Sequence, residues 1–166
     1  ANPNGITCSG CGFINTSRLS MVAGSSSFNS NNDLQFNLTS SGTKTTEVNG
    51  VDTDTLIPLI SIEGLGLDVT RTSYADIIAS SIKLSAGIYG ADATVVSVKT
   101  GDDKFDYQTK EASSTSDNSQ ATSASNELFA IDADSSGSIF SGRIFLIATK
   151  EGVGVNFGGN ITSTND

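Results

Sequence analysis

Apolar and polar residues alternate over short stretches of this chain and never settle into a sustained helical period. Leu34–Leu38 (LQFNL) carries apolar side chains at every second position, as a half-buried strand does. Leu56–Ile62 (LIPLISI) is a more continuous apolar run. A succession of β-branched pieces follows: Ile77-Ile78, Ile82-Lys83-Leu84, Ile88-Tyr89 and Thr94–Val98, each set off from the next by Ser, Gly, Asp or Ala. Ile139–Ile147 and Val153–Phe157 close the series. The nearest approach to a helix is Tyr74–Leu84, and its β-branched content and Ser pairs argue against one.

Strands this short, joined by brief Gly/Asn/Asp/Ser turns, predict sheets coiled into a solenoid. One coil of about 20 residues cannot bury its apolar face alone, whereas stacked coils share a continuous core. The stretch from Ile60 to Gly101 reads as two such coils, with Ile60, Ile62, Leu65 and Leu67 available for the interior. The fold class expected is therefore all-β, a single domain over residues 1–166 built as a right-handed parallel β-helix. Two stretches break the pattern, Gly24–Asn32 (GSSSFNSNN) and Asp102–Asn126, both rich in small polar residues. The second is long for an inert loop in a compact domain. It predicts an extra-helical insertion over 102–126, with a hairpin through Lys104–Thr109 (KFDYQT) and a tip beyond it. The alternative is a Ser-rich loop with no role.

Composition narrows the function classes. A chain of 166 residues is about one domain and can bury a real core. Its 17 Gly and two Pro suit a turn-rich β protein. A net charge of −9 repels phosphate backbones and anionic lipid surfaces, so neither nucleic acid nor stable membrane insertion is expected. The same charge keeps a partly folded chain soluble. The absence of His removes the usual general base near neutral pH and the commonest metal ligand, and with them Ser-His-Asp, Cys-His and His-metal mechanisms. No apolar run approaches the roughly 20 residues of a membrane-spanning helix. No signal peptide opens the chain, so Ala1 reads as a truncation, a cleavage site or a cloning boundary.

The opening residues carry the most information. In Asn2-Pro3-Asn4-Gly5, Pro3 fixes its own φ and pushes Asn2 into an extended conformation, while Asn side chains bond nearby backbone and Gly5 accepts a positive φ. This is a type I turn sequence leading into a strand at Ile6. It either shapes a corner of the β-helix or is itself recognised. Cys8 and Cys11 are the only cysteines. A metal site lacks two further soft or imidazole ligands, and a thioredoxin-like pair lacks a strand-to-helix context. A small local disulfide in an exported protein, or two thiols buried side by side, remain.

Residues Asn2 to Thr16 (NPNGITCSGCGFINT) resemble the NPNGI-x-C-x-G-C-x-FINT signature of the two-partner-secretion domain of filamentous haemagglutinins, haemolysins and contact-dependent inhibition proteins. Ile60–Leu67 (ISIEGLGL) with Tyr74–Ser81 (YADIIASS) is similar to the family's IEGKGL…YTDII segment. Ser141–Ile144 with Glu151–Val155 is similar to its AGRI…EKGVGV close. The resemblance covers most of the chain in order, except the insertion, and matches the C-terminal part of the domain, without the upstream cap and NPNL element. It implies a secretion-signal and folding-nucleus role, with Asn2, Pro3, Asn4, Gly5 and Ile6 as the secretion motif. The implied partners are the periplasmic POTRA domains of a dedicated outer-membrane transporter and the downstream β-helix of the same exoprotein. The implied location is the cell surface or medium, reached through the periplasm, with no cofactor and no catalytic residue.

Other chemistry is weaker. Acidic pairs occur at Asp52/Asp54, Asp102/Asp103 and Asp132/Asp134; the first and last sit at alternate strand positions and could pair as in a glycosidase or hold calcium, but solvated turn carboxylates in an acidic protein are the preferred reading. Arg18, Arg71 and Arg143 read as edge caps or partners of carboxylates. The rival to the secretion role is an adhesin module that binds host glycan or protein directly.

Overall fold

The computed structural model describes residues 1–101, 104–109, 112–113, 128–149 and 153–165. Every regular element among them is a strand. The chain opens with β1 (Ile6–Gly12) and β2 (Arg18–Val22), then leaves the coil for β3 (Gly24–Phe28), β4 (Leu34–Leu38), β5 (Thr43–Val48) and β6 (Val51–Leu56). It returns as β7 (Ile60–Asp68) and β8 (Tyr74–Ala79), and continues through β9 (Ile82–Leu84), β10 (Ile88–Tyr89) and β11 (Val95–Thr100). After a second excursion, β12 (Lys104–Asp106) and β13 (Ala112–Ser113), come β14 (Phe129–Ala133), β15 (Ile139–Ser141), β16 (Arg143–Ala148), β17 (Gly154–Phe157) and β18 (Ile161–Ser163).

All coil strands pair in parallel with the coil above or below, so like residues stack. Ile6, Ile60, Ile82 and Ile131 form one such row, continued by Val155. Leu67, Ile88, Ile139 and Ile161 form a second. On the opposite sheet, β2-β8-β11-β16, Met21, Ile77, Val98 and Leu146 form a third. Alternation aims these rows inward, and Ile60, Ile77, Ile82, Ile88, Val98, Ile131 and Ile139 are buried. A continuous β-branched core follows from that stacking.

Two expectations are corrected here. Leu65 is not an interior residue; it is 88% exposed. The register of β1 against β7 shifts between Ser9 and Cys11, and Gly64 (φ 62°) and Gly66 (φ 83°) take left-handed backbone on either side of Leu65. The bulge resets the alternation, so Ile62 and Leu67 face inward while Leu65 is turned out. The Leu56–Ile62 run is also not one strand. Leu56 ends β6 and Ile60 begins β7, with Pro58, which has no amide to donate, in the connection between them.

The excursions build two further sheets. Strands β3, β4, β12 and β13 form an antiparallel sheet in the order β13-β12-β4-β3. The Gly24–Phe28 part of the small polar stretch is thus a strand, paired in register from Gly24↔Leu38 to Phe28↔Leu34. The hairpin expected at Lys104–Thr109 contributes β12 and a turn over 107–109; most of the remainder of 102–126, including Asp102 and Asp103, lies outside the described residues. Phe36, Leu38 and Phe105 pack on Val22 and Ile78, which point outward from β2 and β8, and make a second apolar cluster. Strands β5 and β6 form a separate hairpin across Asn49-Gly50, both at positive φ, as a two-residue type I′ loop requires.

Candidate functional site

The Asn2–Gly5 corner is a joint between three parts of the molecule. The Asn4 amide donates to Asn2 Oδ1 at 2.9 Å, and the Gly5 amide donates to the Asn2 carbonyl at 3.3 Å, closing the turn. The Asn2 amide donates to the Val22 carbonyl at 2.9 Å, and the Gly24 amide donates back to the Asn2 carbonyl at 3.1 Å. Asn2 thus pairs in parallel with the point where β2 passes into β3. The Thr39 hydroxyl, just past β4, donates to the Pro3 carbonyl at 2.8 Å. The Ile6 amide donates to the Leu59 carbonyl at 2.8 Å, at the start of the second coil. Gly5 has φ 92°, and a β-carbon there would stand 2.8 Å from the Leu59 carbonyl oxygen. The Asn4 side chain is exposed and makes no hydrogen bond to a described residue.

Cys8 and Cys11 lie one turn of chain further on. In a regular strand, positions three apart face opposite ways. The bulge in β1 resets this: Cys8 pairs with Ile62 and Cys11 with Leu67, both inward-facing partners. The two Cα atoms are 5.5 Å apart and the sulfurs lie within bonding distance.

The joint is backed by a polar lock that sequence patterning did not reveal. Arg18 donates to Asp76 Oδ2 at 2.7 Å, and the carboxylate is fully buried between the coil and the extra-helical sheet. The guanidinium also lies over the ring of Tyr74 at 4.4 Å and that of Tyr107 at 5.4 Å, so it bridges coil and excursion. Lys99, outward on β11, is nearly buried with Nζ 5.2 Å from the Phe105 ring, and burial lowers its pKa. The available signal was the expectation that Arg18 would meet a carboxylate; which one, and that it would be buried, needed the fold.

Asp54, Asp132 and Asp134 each meet a partner outside their own pair. Asp54 accepts from the Thr45 hydroxyl at 2.5 Å across the β5–β6 hairpin. Asp132 stands on β14, with Oδ1 accepting from Asn156 Nδ2 at 2.8 Å and Oδ2 3.8 Å from Lys83 Nζ. Asp134 instead accepts from the Ser136 amide at 2.8 Å in the next turn, which holds its pKa below the usual carboxylate value. Asp68 is held low by the Thr70 hydroxyl and amide, with help from Arg71. Arg143 is exposed at the start of β16. Among the described residues, no three His, Cys, Asp or Glu side chains cluster as a metal site would need, and no helix is long and apolar enough to cross a membrane.

Parallel coils around one apolar core, with an antiparallel sheet clamped to the outside and a turn pinning the two together, define a parallel β-helix with extra-helical strands. Comparison with known proteins places it further. The sequence model of the TPS secretion domain matches residues 1–166. The chain is 34% identical over 166 residues to the Hemolysin of Proteus mirabilis, covering 100% of the chain and 9% of that protein. It is 32% identical over 161 residues to the Toxin CdiA of Yersinia pestis, covering 97% of the chain and 4% of that protein. The crystal structure of a filamentous hemagglutinin secretion domain superposes with a TM-score of 0.73 at 23% identity, covering 98% of this chain and 49% of that one. The chain belongs to the TPS secretion domain family. It spans less than a tenth of the length of these two curated relatives.

Proposed function

We propose that this domain is the secretion signal and folding nucleus of a large bacterial exoprotein. A dedicated outer-membrane transporter binds it through periplasmic POTRA domains and passes it across unfolded. Outside, it folds into coils on which the downstream β-helix stacks. The observation that carries this reading is the match of the secretion-domain model to residues 1–166. The last coil supports the templating step. Strands β16, β17 and β18 are each paired on one side only among the described residues. Val155 and Ile161 continue two interior rows yet remain 45% and 48% exposed. The amides of Thr164 and Asn165 donate to the carbonyls of Ser141 and Gly142, at the corner between β15 and β16. A parallel edge of this kind is a template for one more coil.

Binding to POTRA domains is by β-augmentation, in which backbone hydrogen bonds give the contact and side chains set the register. In this scheme Asn2, Pro3, Asn4, Gly5 and Ile6 are the secretion motif, and Cys8 and Cys11 close as a disulfide outside the reducing cytosol. No catalytic step is assigned to the domain. The test is export of a passenger fused to this domain, in cells with and without the cognate transporter. Export should require the transporter and fall in Asn4→Ala with folding intact. Export that is indifferent to the transporter, or normal export with lost cell adhesion in that variant, overturns the reading in favour of the adhesin.

A further inference from the structure

A cleft of about 280 Å³ lies between the base of the β5–β6 hairpin and the outer face of the coil. The joint and the polar lock described above do not use it. Its apolar surface comes from Ile57 and Pro58, where the hairpin returns to the coil, and from Phe129 at the start of β14. Two lysines are among its lining residues, Lys44 on β5 and Lys83 on β9. Lys44 makes no ion pair with any described residue, and Lys83 stands 3.8 Å from Asp132 and also acts on Asp134. Asp132 completes the lining, oriented by Asn156.

Among the described lining residues two lysines stand against one aspartate, on a chain of net charge −9. Such a spot concentrates anions against the field of the rest of the surface. Asp132 and the apolar surface together decide between classes of anion. A fatty acid would press hydrocarbon against that carboxylate, which costs a desolvated polar group. A phosphate dianion doubles its attraction to the lysines along with its repulsion from Asp132, so charge does not choose against it, but it has no apolar face to lay on Phe129, Ile57 and Pro58. A sugar ring that bears one carboxylate satisfies all three features. Its carboxylate takes the lysines, its hydroxyls donate to Asp132, and its C–H face lies on Phe129, Ile57 and Pro58. The volume is near the lower end for ligand clefts, about 300 Å³, which suits one ring rather than an extended chain.

We propose that this cleft binds a carboxylate-bearing sugar residue of the uronic or sialic acid type, independently of the export role. The experiment titrates the 166-residue domain with glucuronate, glucose and acetate at low salt, following amide NMR shifts. Glucose lacks the carboxylate and acetate lacks the ring. Glucuronate should give saturable shifts around residues 82–84 and 129–132, with Kd on the order of 1 mM, as expected of a small single-ring ligand. Glucose and acetate should bind at least fivefold more weakly. Lys44→Gln and Lys83→Gln should each weaken glucuronate several-fold while leaving amides of the interior rows unshifted. Comparable binding of glucose or of acetate overturns the proposal. So does the absence of saturable shifts up to about 50 mM, roughly fifty times the expected Kd.

Discussion

Replacing Gly5 by alanine tests the physical account of the corner most directly. Gly5 sits at φ 92°, where an L-residue costs about 1–2 kcal/mol. The new β-carbon would also stand 2.8 Å from the Leu59 carbonyl oxygen, a backbone atom that cannot swing away. That carbonyl accepts from the Ile6 amide, so a shift loosens a bond worth about 1 kcal/mol. Together, Gly5→Ala should lower unfolding free energy by about 2–4 kcal/mol, at the upper end for single substitutions. Urea denaturation measures this as a fall in midpoint at unchanged slope. Asn4→Ala is the matched control. Its side chain bonds nothing described and its amide is kept, so its midpoint should move by less than about 0.5 kcal/mol. If the motif is also read by the transporter, Asn4→Ala loses export without losing stability, whereas Gly5→Ala loses both. An unchanged midpoint in Gly5→Ala refutes the geometry argued for the corner. Unchanged export in Asn4→Ala reduces the motif to a structural turn.

Arg18→Met should destabilise by about 2–3 kcal/mol in the same assay, since it strands a fully buried carboxylate, discounted because Arg18 is about a third exposed. Adding Asp76→Leu should recover most of that loss, and a double variant worse than the single one would contradict the lock. Ile62→Ala should cost about 2–5 kcal/mol as a buried-to-cavity change, while Leu65→Ser should be nearly neutral; comparable losses would mean the bulge is misplaced. Asp68 and Asp134 have folded pKa values below their unfolded value, so their contribution is complete above the ordinary carboxylate pKa and is lost as pH falls through the lowered one. Thermal melts from pH 6 to pH 2 should show a smaller acid-side drop in Asp134→Asn than in the parent, and identical profiles would exclude that role.

The coil was legible where nothing interrupts it. Ile60 to Thr100 runs through two coils without an excursion, and its β-branched pieces fall on β7 to β11. Leu65 was misplaced because alternation was carried through Gly64 and Gly66, although two glycines flanking one residue signal a bulge. The strand at Gly24–Phe28 left no trace in the pattern, because a Ser run has no apolar face to alternate; pairing with LQFNL makes it a strand. LQFNL itself read correctly as half-buried, but the sequence could not say against what. Phe36 and Leu38 pack outside the coil on Val22 and Ile78, rather than in its interior. Adjacent apolar residues at Ile77-Ile78 were the readable sign that this sheet is covered on both faces. The β5–β6 hairpin had its Asn-Gly signal, yet its flanks TKTTEV and VDTDTL are polar on both faces and gave no periodicity.

The corner's bonds also set an order of events for a chain that emerges progressively. Asn2 needs Val22 and Gly24, Pro3 needs Thr39, and Ile6 needs Leu59. None of these is local, and each closes a longer loop than the last, so the turn gains its tertiary bonds only after about sixty residues have come together. The Arg18–Asp76 bond and the packing of Phe105 on Val22 lie later still. Among the corner's own bonds, the one from Ile6 to Leu59 therefore closes last. Until Thr39 and Leu59 arrive, the Pro3 carbonyl and the Ile6 amide lack their folded partners, and on the proposed reading a sheet edge on another protein would bond them in that interval. On the proposed reading, recognition and structure would be two uses of the same backbone groups at different times. A transporter that holds the segment would delay the first coil, and releasing it would let the solenoid close.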